Sequence, residues 1–281
     1  MGFHLNERRG MNESTEIASV LSIAGSDPSG GAGIQADLKA FVTTGSYGAA
    51  VITGLTAQNT QAVTGKLPVA AGFVEEQLQA VLSDIDIDVI KLGMMTSREI
   101  CEAVAPFLKE RTVVCDPVMV STTGYQLIDE DTADALIHTV LPLADYITPN
   151  RYELEKLYGA PAADASSAGG ELMNRFDGLS GIILKGGHVH TEPGLVTDTL
   201  LYRSGRAIQE IVETRPRYDT PNTHGTGCTF ASAFASFLAQ KNKPQLAFKK
   251  AVDYTNHLIQ VSAETRIGHG RGPLMHHLLS G

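Results

Sequence analysis

From residue 19 to residue 262 the chain alternates short β-rich runs with amphipathic helical segments, and this alternation limits its fold more than any other feature. Strands are predicted over 19–24, 49–57, 88–92, 112–116, 145–148 and 181–185. Helices are predicted over 31–44, 72–83, 97–110, around 129–139, over 151–158 and over 169–176. Strand, helix and parallel strand in succession require a crossover each time, which gives an α/β fold with a mostly parallel central sheet and helices on both faces. Two further runs, 195–202 and 207–213, joined through Ser204-Gly205, read as an antiparallel hairpin at an edge of that sheet. The last third is mainly two helices, one following Gly227 and one over 244–262. Residues 161–170, small and polar, read as a loop between helices.

With 281 residues, 43% of them hydrophobic, the chain is long enough for one large α/β core. Residues 17–281 are expected to form a single domain. Residues 1–16 are polar, have no apolar core of a signal peptide, and read as a loose tail. No apolar run approaches the roughly 18 residues needed to span a bilayer. A formal charge of −9 argues against a nucleic-acid or anionic-membrane surface, so a bound phosphate must be held by local groups. Three cysteines without Cys-x-x-Cys spacing suggest neither a disulfide framework nor a zinc site, and fit a reducing cytoplasm. Cys101 and Cys115 fall on buried positions of a helix and a strand and read as small core residues.

In an open α/β sheet, ligands sit beyond the carboxyl ends of the strands. Six successive loops at those ends carry polar or glycine residues: Gly25 to Gly33 with Asp27, Gln58-Asn-Thr60, Gly93-Met-Met-Thr96, Asp116-Pro-Val-Met119, Pro149 to Glu153 with Asn150, and Lys185-Gly-Gly-His188. Each alone has an ordinary explanation as a turn or cap; together they describe a site. Gly31-Ala-Gly-Ile-Gln-Ala36 mimics a dinucleotide fingerprint. Its required acid at the end of the second strand is missing, since that strand runs Val51 to Gln58. No G-x-x-x-x-G-K-[ST] run and no His-Glu-x-x-His motif occurs. His188, His190, His276 and His277 are given no functional role.

The stretch Asn222-Thr-His-Gly-Thr-Gly-Cys-Thr229 runs directly into a helical pattern. A Gly-Thr-Gly turn opening a helix aims unpaired N–H groups and the positive end of the helix dipole at one point, which makes an anion site. The plainer reading is a relaxed helix start with Thr226 as cap. Cys228 shifts the balance, because a thiol in the first turn of a helix is expected to have a lowered pKa and to act as base or nucleophile.

These motifs together carry a resemblance. Ala24-Gly-Ser-Asp-Pro-Ser-Gly-Gly-Ala-Gly-Ile-Gln-Ala-Asp-Leu-Lys39, Ala57-Gln-Asn-Thr60, Thr148-Pro-Asn150, Lys185-Gly-Gly-His188, Asn222 to Cys228 and the late Gly268-His-Gly-Arg-Gly-Pro273 resemble the hydroxymethylpyrimidine/phosphomethylpyrimidine kinases of thiamin biosynthesis, in the ribokinase-like superfamily. The resemblance covers residues 19–272 and implies a three-layer ribokinase-like fold. It implies ATP-dependent phosphorylation of 4-amino-5-hydroxymethyl-2-methylpyrimidine, and then of its monophosphate to the diphosphate. By the same resemblance Gly225, Thr226 and Gly227 form the anion hole for the transferring phosphoryl group, and Cys228 stands where most of the superfamily has an Asp base. Asp27, Gln58 and Met94 meet the substrate ring. Asp116 and Lys185 lie by the ATP phosphates, and Asn150 and Glu153 position Mg²⁺, partly through water. A homodimer in the cytoplasm is implied as well, with the adenine pocket near the hairpin and the final two helices.

Two alternatives stay open. Close relatives with this signature, including Gly93-Met-Met-Thr-Ser97, resemble pyridoxine/pyridoxal kinases of vitamin B6 salvage. A binding protein that keeps the pocket without turnover is the other, against which the retention of Cys228 with Asn150 and Glu153 argues. A sugar kinase is disfavoured by Gln58 and by Cys in place of Asp.

Overall fold

The computed structural model describes residues 16–121, 124–186 and 192–279. Among these, nine strands form one sheet: β1 (Ser19–Ser26), β2 (Tyr47–Gln58), β3 (Val63–Pro68), β4 (Val89–Leu92), β5 (Thr112–Cys115), β6 (Tyr146–Ile147), β7 (Gly181–Leu184), β8 (Leu195–Ser204) and β9 (Ala207–Pro216). Their spatial order is β3-β2-β1-β4-β5-β6-β7-β8-β9. The six from β2 to β7 are parallel, while β3 and the β8–β9 hairpin add antiparallel edges. The chain passes from β1 outward to β2 and then returns to the other side of β1 as β4. That reversal opens a crevice at the carboxyl ends of β1 and β4, where an open parallel sheet binds its ligands.

Strand period two divides the core. Leu21, Ile23, Ile90, Leu92, Val113 and Cys115 face one side, packing on α2 (Ala71–Leu82), α3 (Arg98–Val104), α4 (Glu130–Ala135), α5 (Arg151–Tyr158) and α6 (Ala165–Arg175). Val20, Val89 and Val114 face the other, beneath α1 (Gly33–Thr44), α7 (Thr226–Ala239) and α8 (Pro244–Ser262). Phe41, Phe234 and Phe248 fill this second layer, where the Phe234 ring meets Tyr146 edge-on at 5.2 Å. Cys101 and Cys115 are buried as expected, and burial pushes the Cys101 thiol up to about 12.

The predicted elements are found with four corrections. The helix expected over 97–110 leaves α geometry at Val104, because Pro106 has no N–H to continue the ladder. The one expected around 129–139 is α-helical only to Ala135, then widens to a π turn over Leu136–Val140 and tightens to a 3₁₀ turn over Leu141–Leu143 around Pro142. Six of the ten residues of the loop expected over 161–170 are helix, since the Asp164 side chain accepts from the Ser166 N–H at 3.0 Å and starts α6 at Ala165. Strand β3 was not expected: Gly65 and Pro68 weaken its pattern, and such residues are tolerated because it lies on an edge. The tail expectation falls, apart from Glu16, outside the described residues.

Candidate active site

The carboxyl ends of β1, β4, β5, β6 and β7 and the first turns of α1, α5 and α7 surround an open cleft of about 600 Å³. That volume falls in the range of small-molecule sites, roughly 300–1,000 Å³. Ten of the eleven residues singled out from sequence line it: Asp27, Gln58, Met94, Asp116, Asn150, Glu153, Lys185, Gly225, Gly227 and Cys228. Thr226 does not. Its hydroxyl donates to the Thr223 carbonyl at 2.9 Å, so it braces the turn from behind.

Gly225, not Thr226, is the N-cap of α7, with a left-handed φ of 79° and no side-chain cap. A Cβ at Gly225 would lie 1.8 Å from the Gly31 carbonyl oxygen, so the two glycine-rich loops touch backbone to backbone. The Thr226 N–H donates to Thr223 O at 3.3 Å and the Thr229 N–H to Gly225 O at 2.9 Å. Between them, the N–H groups of Gly227 and Cys228 meet no protein acceptor among the described residues. They are the unfilled donors an anion would take. Gly33, at the start of α1, lines the cleft together with Cys228, so this thiol stands where two helix starts converge.

The expected lowering of the Cys228 pKa is not found. Burial pushes the thiol up to about 11, with Lys91 pulling it down and Asp37 and Asp116 adding to the rise. Helix position alone does not make this sulfur a thiolate; the surrounding charges decide it.

Asp27, expected to accept from the substrate, is largely committed inside the protein. Its carboxylate accepts from the Ser29 N–H at 2.9 Å and hydroxyl at 2.7 Å, from the Ala32 N–H at 2.9 Å, and from His224 Nε2 at 2.7 Å. Burial alone would raise this carboxyl, but the bonds from His224 and Ser29 hold it below the usual range. His224 Nε2 also lies 3.3 Å from the Gln58 amide, which contacts the Thr56 hydroxyl at 3.1 Å. The Thr56 hydroxyl donates to Gln58 Oε1 and so orients the amide of a residue that lines the cleft. Met94 packs over Gly25, where a Cβ would lie 2.1 Å from its terminal methyl.

On the opposite wall Asn150 and Glu153 form the capping box of α5. The Glu153 N–H donates to Asn150 Oδ1 at 3.0 Å, and the Asn150 N–H to Glu153 Oε2 at 2.8 Å. Lys185 Nζ lies 2.7 Å from Asp116 Oδ1 and 3.8 Å from Glu153 Oε2, and Thr148 donates to Asp116 Oδ1 at 2.9 Å. Burial would raise Asp116, but Lys185 and Lys91 outweigh it and hold the carboxyl low. Glu153 is pushed up to about 7, by burial first, against the pull of Lys185 and with repulsion from Asp116.

One ammonium thus serves two carboxyl groups, and a polyphosphate entering here would need a further cation. Among the described residues no group of three His, Cys, Asp or Glu side chains is placed to hold a metal by itself. The donor set, Glu153 Oε1 and the Asn150 amide, is oxygen-rich and sparse, which fits a magnesium ion completed by phosphate oxygens and water.

Lys91 and Arg271 also line the cleft, and the sequence reading passed over both. Lys91 carried a signal: a lysine inside the strand run Val89-Ile-Lys-Leu92 is a charge placed in a core. Arg271 lies in the late Gly268 to Pro273 motif, whose backbone folds around Thr60; its N–H donates to the Thr60 carbonyl at 2.8 Å. Of the histidines left without a role, His276 is buried, lies 3.1 Å from the Thr229 hydroxyl and has its pKa lowered by burial to about 4. His188 and His190 lie outside the described residues.

A family model described as phosphomethylpyrimidine kinase matches residues 27–275. The chain belongs to this family. The phosphomethylpyrimidine kinase family is one of phosphotransferases, and the match spans the ten cleft residues singled out from sequence. The hydroxymethylpyrimidine/phosphomethylpyrimidine kinase of Haemophilus influenzae is 41% identical over 269 residues, covering 93% of this chain and 97% of that protein. The thiamine biosynthesis bifunctional protein ThiED of Geobacter sulfurreducens is 45% identical over 263 residues; the match takes in 92% of this chain but only 52% of that protein, about half its length. Among solved structures, an ADP complex of Bacillus subtilis pyridoxal kinase superposes with a TM-score of 0.79 at 30% identity, covering 94% of this chain and 99% of that one. The fold is therefore the ribokinase-like one.

Proposed function

We propose that this chain transfers the γ-phosphoryl group of ATP to the hydroxymethyl group of an aminopyrimidine, and then to the resulting monophosphate. One observation carries the reading: a sulfur and two unfilled N–H donors at the start of α7 open onto the same cleft as Gln58, Met94 and the Lys185 cluster.

Gln58 presents donor and acceptor side by side, the pattern that reads an aminopyrimidine edge, and Met94 offers a thioether to a flat ring face. Thr56 holds that edge in place, and Asp27 fixes His224 beside it. The Gly227 and Cys228 N–H groups receive the transferring phosphoryl oxygens, and Lys185 and Asp116 stand beside the polyphosphate. Cys228 as thiolate accepts the hydroxyl proton while the alcohol oxygen bonds to phosphorus and the bond to ADP breaks. Mg²⁺, held by Asn150 and Glu153 with waters, would neutralise phosphate charge. In the second transfer the attacking phosphate has a second pKa near ~6 and arrives mostly deprotonated, so it needs little help from a base.

A homodimer is the proposed assembly. Leu55 of β2 and Leu67 of β3 lie opposite each other on the edge hairpin and are 43% and 63% exposed, an apolar pair that a second copy would cover. No helix among the described residues is long and apolar enough to cross a membrane, in keeping with a cytoplasmic enzyme.

The likeness to pyridoxal kinase favours one second reading, phosphorylation of pyridoxal. ADP release measured with hydroxymethylpyrimidine, its monophosphate and pyridoxal in parallel separates the two by kcat/KM. Binding of the pyrimidine without ADP release would point to a non-catalytic binder.

A further inference from the structure

The charge pair that touches the cleft floor from below has no part in the reading above. Parallel register sets Ser22 of β1 beside Lys91 of β4, and period two turns both toward α1 and α7. Asp37 of α1 meets them there. Its Oδ2 accepts from the Ser22 hydroxyl at 2.6 Å and Lys91 Nζ at 2.9 Å; its Oδ1 accepts from the Ser232 hydroxyl at 2.7 Å and Lys91 Nζ at 3.0 Å. All four side chains belong to residues with no solvent exposure.

A purely structural pair would lie deep in the layer and be satisfied on every side. Asp37 is saturated, but the Lys91 ammonium has three protons and no acceptor other than Asp37 among the described residues. Lys91 also lines the cleft together with Cys228, and its nitrogen sits under Gly93, where a Cβ would be 3.0 Å away. Ser232, which shares Asp37 with it, stands four residues from Cys228 on α7, one turn along the same face. Lys91 from β4, Asp116 beyond β5 and Lys185 beyond β7 line the cleft together with Cys228, and Asp37 from α1 holds Lys91 from behind.

We propose that Lys91 is a positioning residue for Cys228: its ammonium, fixed by Asp37, pairs with the thiolate form of the sulfur and lets a half-buried cysteine serve as the base. The proposal rests on the reading of Cys228 as base. During transfer the hydroxyl proton passes to the Cys228 sulfur as the new O–P bond forms and ADP departs. The thiol returns that proton to water once product has left, and Lys91 keeps its own protons throughout.

The test is the rate of Cys228 alkylation by iodoacetamide in the full chain as a function of pH, with Cys228→Ser supplying the background from Cys101 and Cys115. Asp37→Asn leaves Lys91 without its carboxylate and should raise the rate at pH 8 by about fivefold to tenfold, because thiolate is the reacting form. The double variant Asp37→Asn/Lys91→Met leaves no unpaired charge, so it is expected to fold, and it should lower the rate by about tenfold, the ammonium acting on the sulfur more strongly than the carboxylate. Lys91→Arg should stay near the starting rate. Shifts in the same direction, or under about twofold, would overturn the proposal and leave the pair a structural one. Alkylation needs no turnover, so opposite shifts beside an undiminished first transfer in Cys228→Ala would instead overturn the assignment of the base.

Discussion

Asp27 and His224, 197 residues apart in the chain, meet at 2.7 Å, carboxylate Oδ2 to imidazole Nε2, and this contact ties the β1–α1 loop to the start of α7. The neighbouring glycine makes room for it: a Cβ at Gly31 would stand 2.3 Å from the His224 ring. Both side chains are almost fully buried. His224→Ala should therefore destabilise the fold by about 2–4 kcal/mol, as expected when a buried carboxylate loses its partner. Denaturant unfolding at pH 7 measures it. The Asp27 carboxyl is lowered in the folded state, so its contribution is present above the ordinary value of 3.8 and is lost as pH falls through the folded value. The gap between the parent and Asp27→Asn should accordingly close below about pH 4.

Cys228→Ala should slow phosphorylation of the alcohol by about 10²–10³-fold, the range for loss of a general base, and that of the monophosphate by less than about tenfold. Single-turnover rates with each substrate give the comparison. Equal losses in both transfers would remove Cys228 from the role of base.

At Gly225 the backbone is left-handed and the space for a side chain is taken by the Gly31 carbonyl. Gly225→Ala should lose at least about 1–3 kcal/mol and, by moving the Gly227 and Cys228 N–H groups, raise the KM for ATP. A thermal melt and an ATP titration read the two effects. An unchanged melt would show that the turn relaxes freely.

Glu153 has the opposite linkage from Asp27. A carboxyl raised from 4.5 to about 7 contributes stability that is full below 4.5 and is lost as pH rises through 7. Glu153→Gln removes that titration while Gln can still serve the capping box. The variant should gain on the parent between pH 4.5 and 7.5 by up to roughly 3 kcal/mol, at 1.36 kcal/mol per pKa unit. Parallel unfolding curves at both pH values, with no change in the difference, would contradict the buried, raised carboxyl.

Much of this was legible in the sequence because parallel α/β folds write their sites into loops. Six strand ends bearing polar residues fall on one edge of the sheet, and ten of the singled-out residues line one cleft. What the sequence concealed is how those residues share partners. Nothing local to Asp27 shows that His224 occupies it, and that Asn150 and Glu153 bond each other as the cap of α5 while both line the cleft is seen only in their 2.8 Å contact. The Cys228 pKa was misjudged because helix position is visible in sequence, whereas burial and the balance of Lys91, Asp37 and Asp116 arise only from folding. Strand β3 stayed hidden because its pairing with β2, and not its own composition, makes it a strand.

The most direct measurement is mass analysis of the products formed from MgATP with hydroxymethylpyrimidine in one reaction and pyridoxal in another. The account predicts that the pyrimidine is carried through its monophosphate to the diphosphate, with two ATP consumed per ring. Pyridoxal phosphate with little pyrimidine product, or a pyrimidine reaction that stops at the monophosphate, would contradict it.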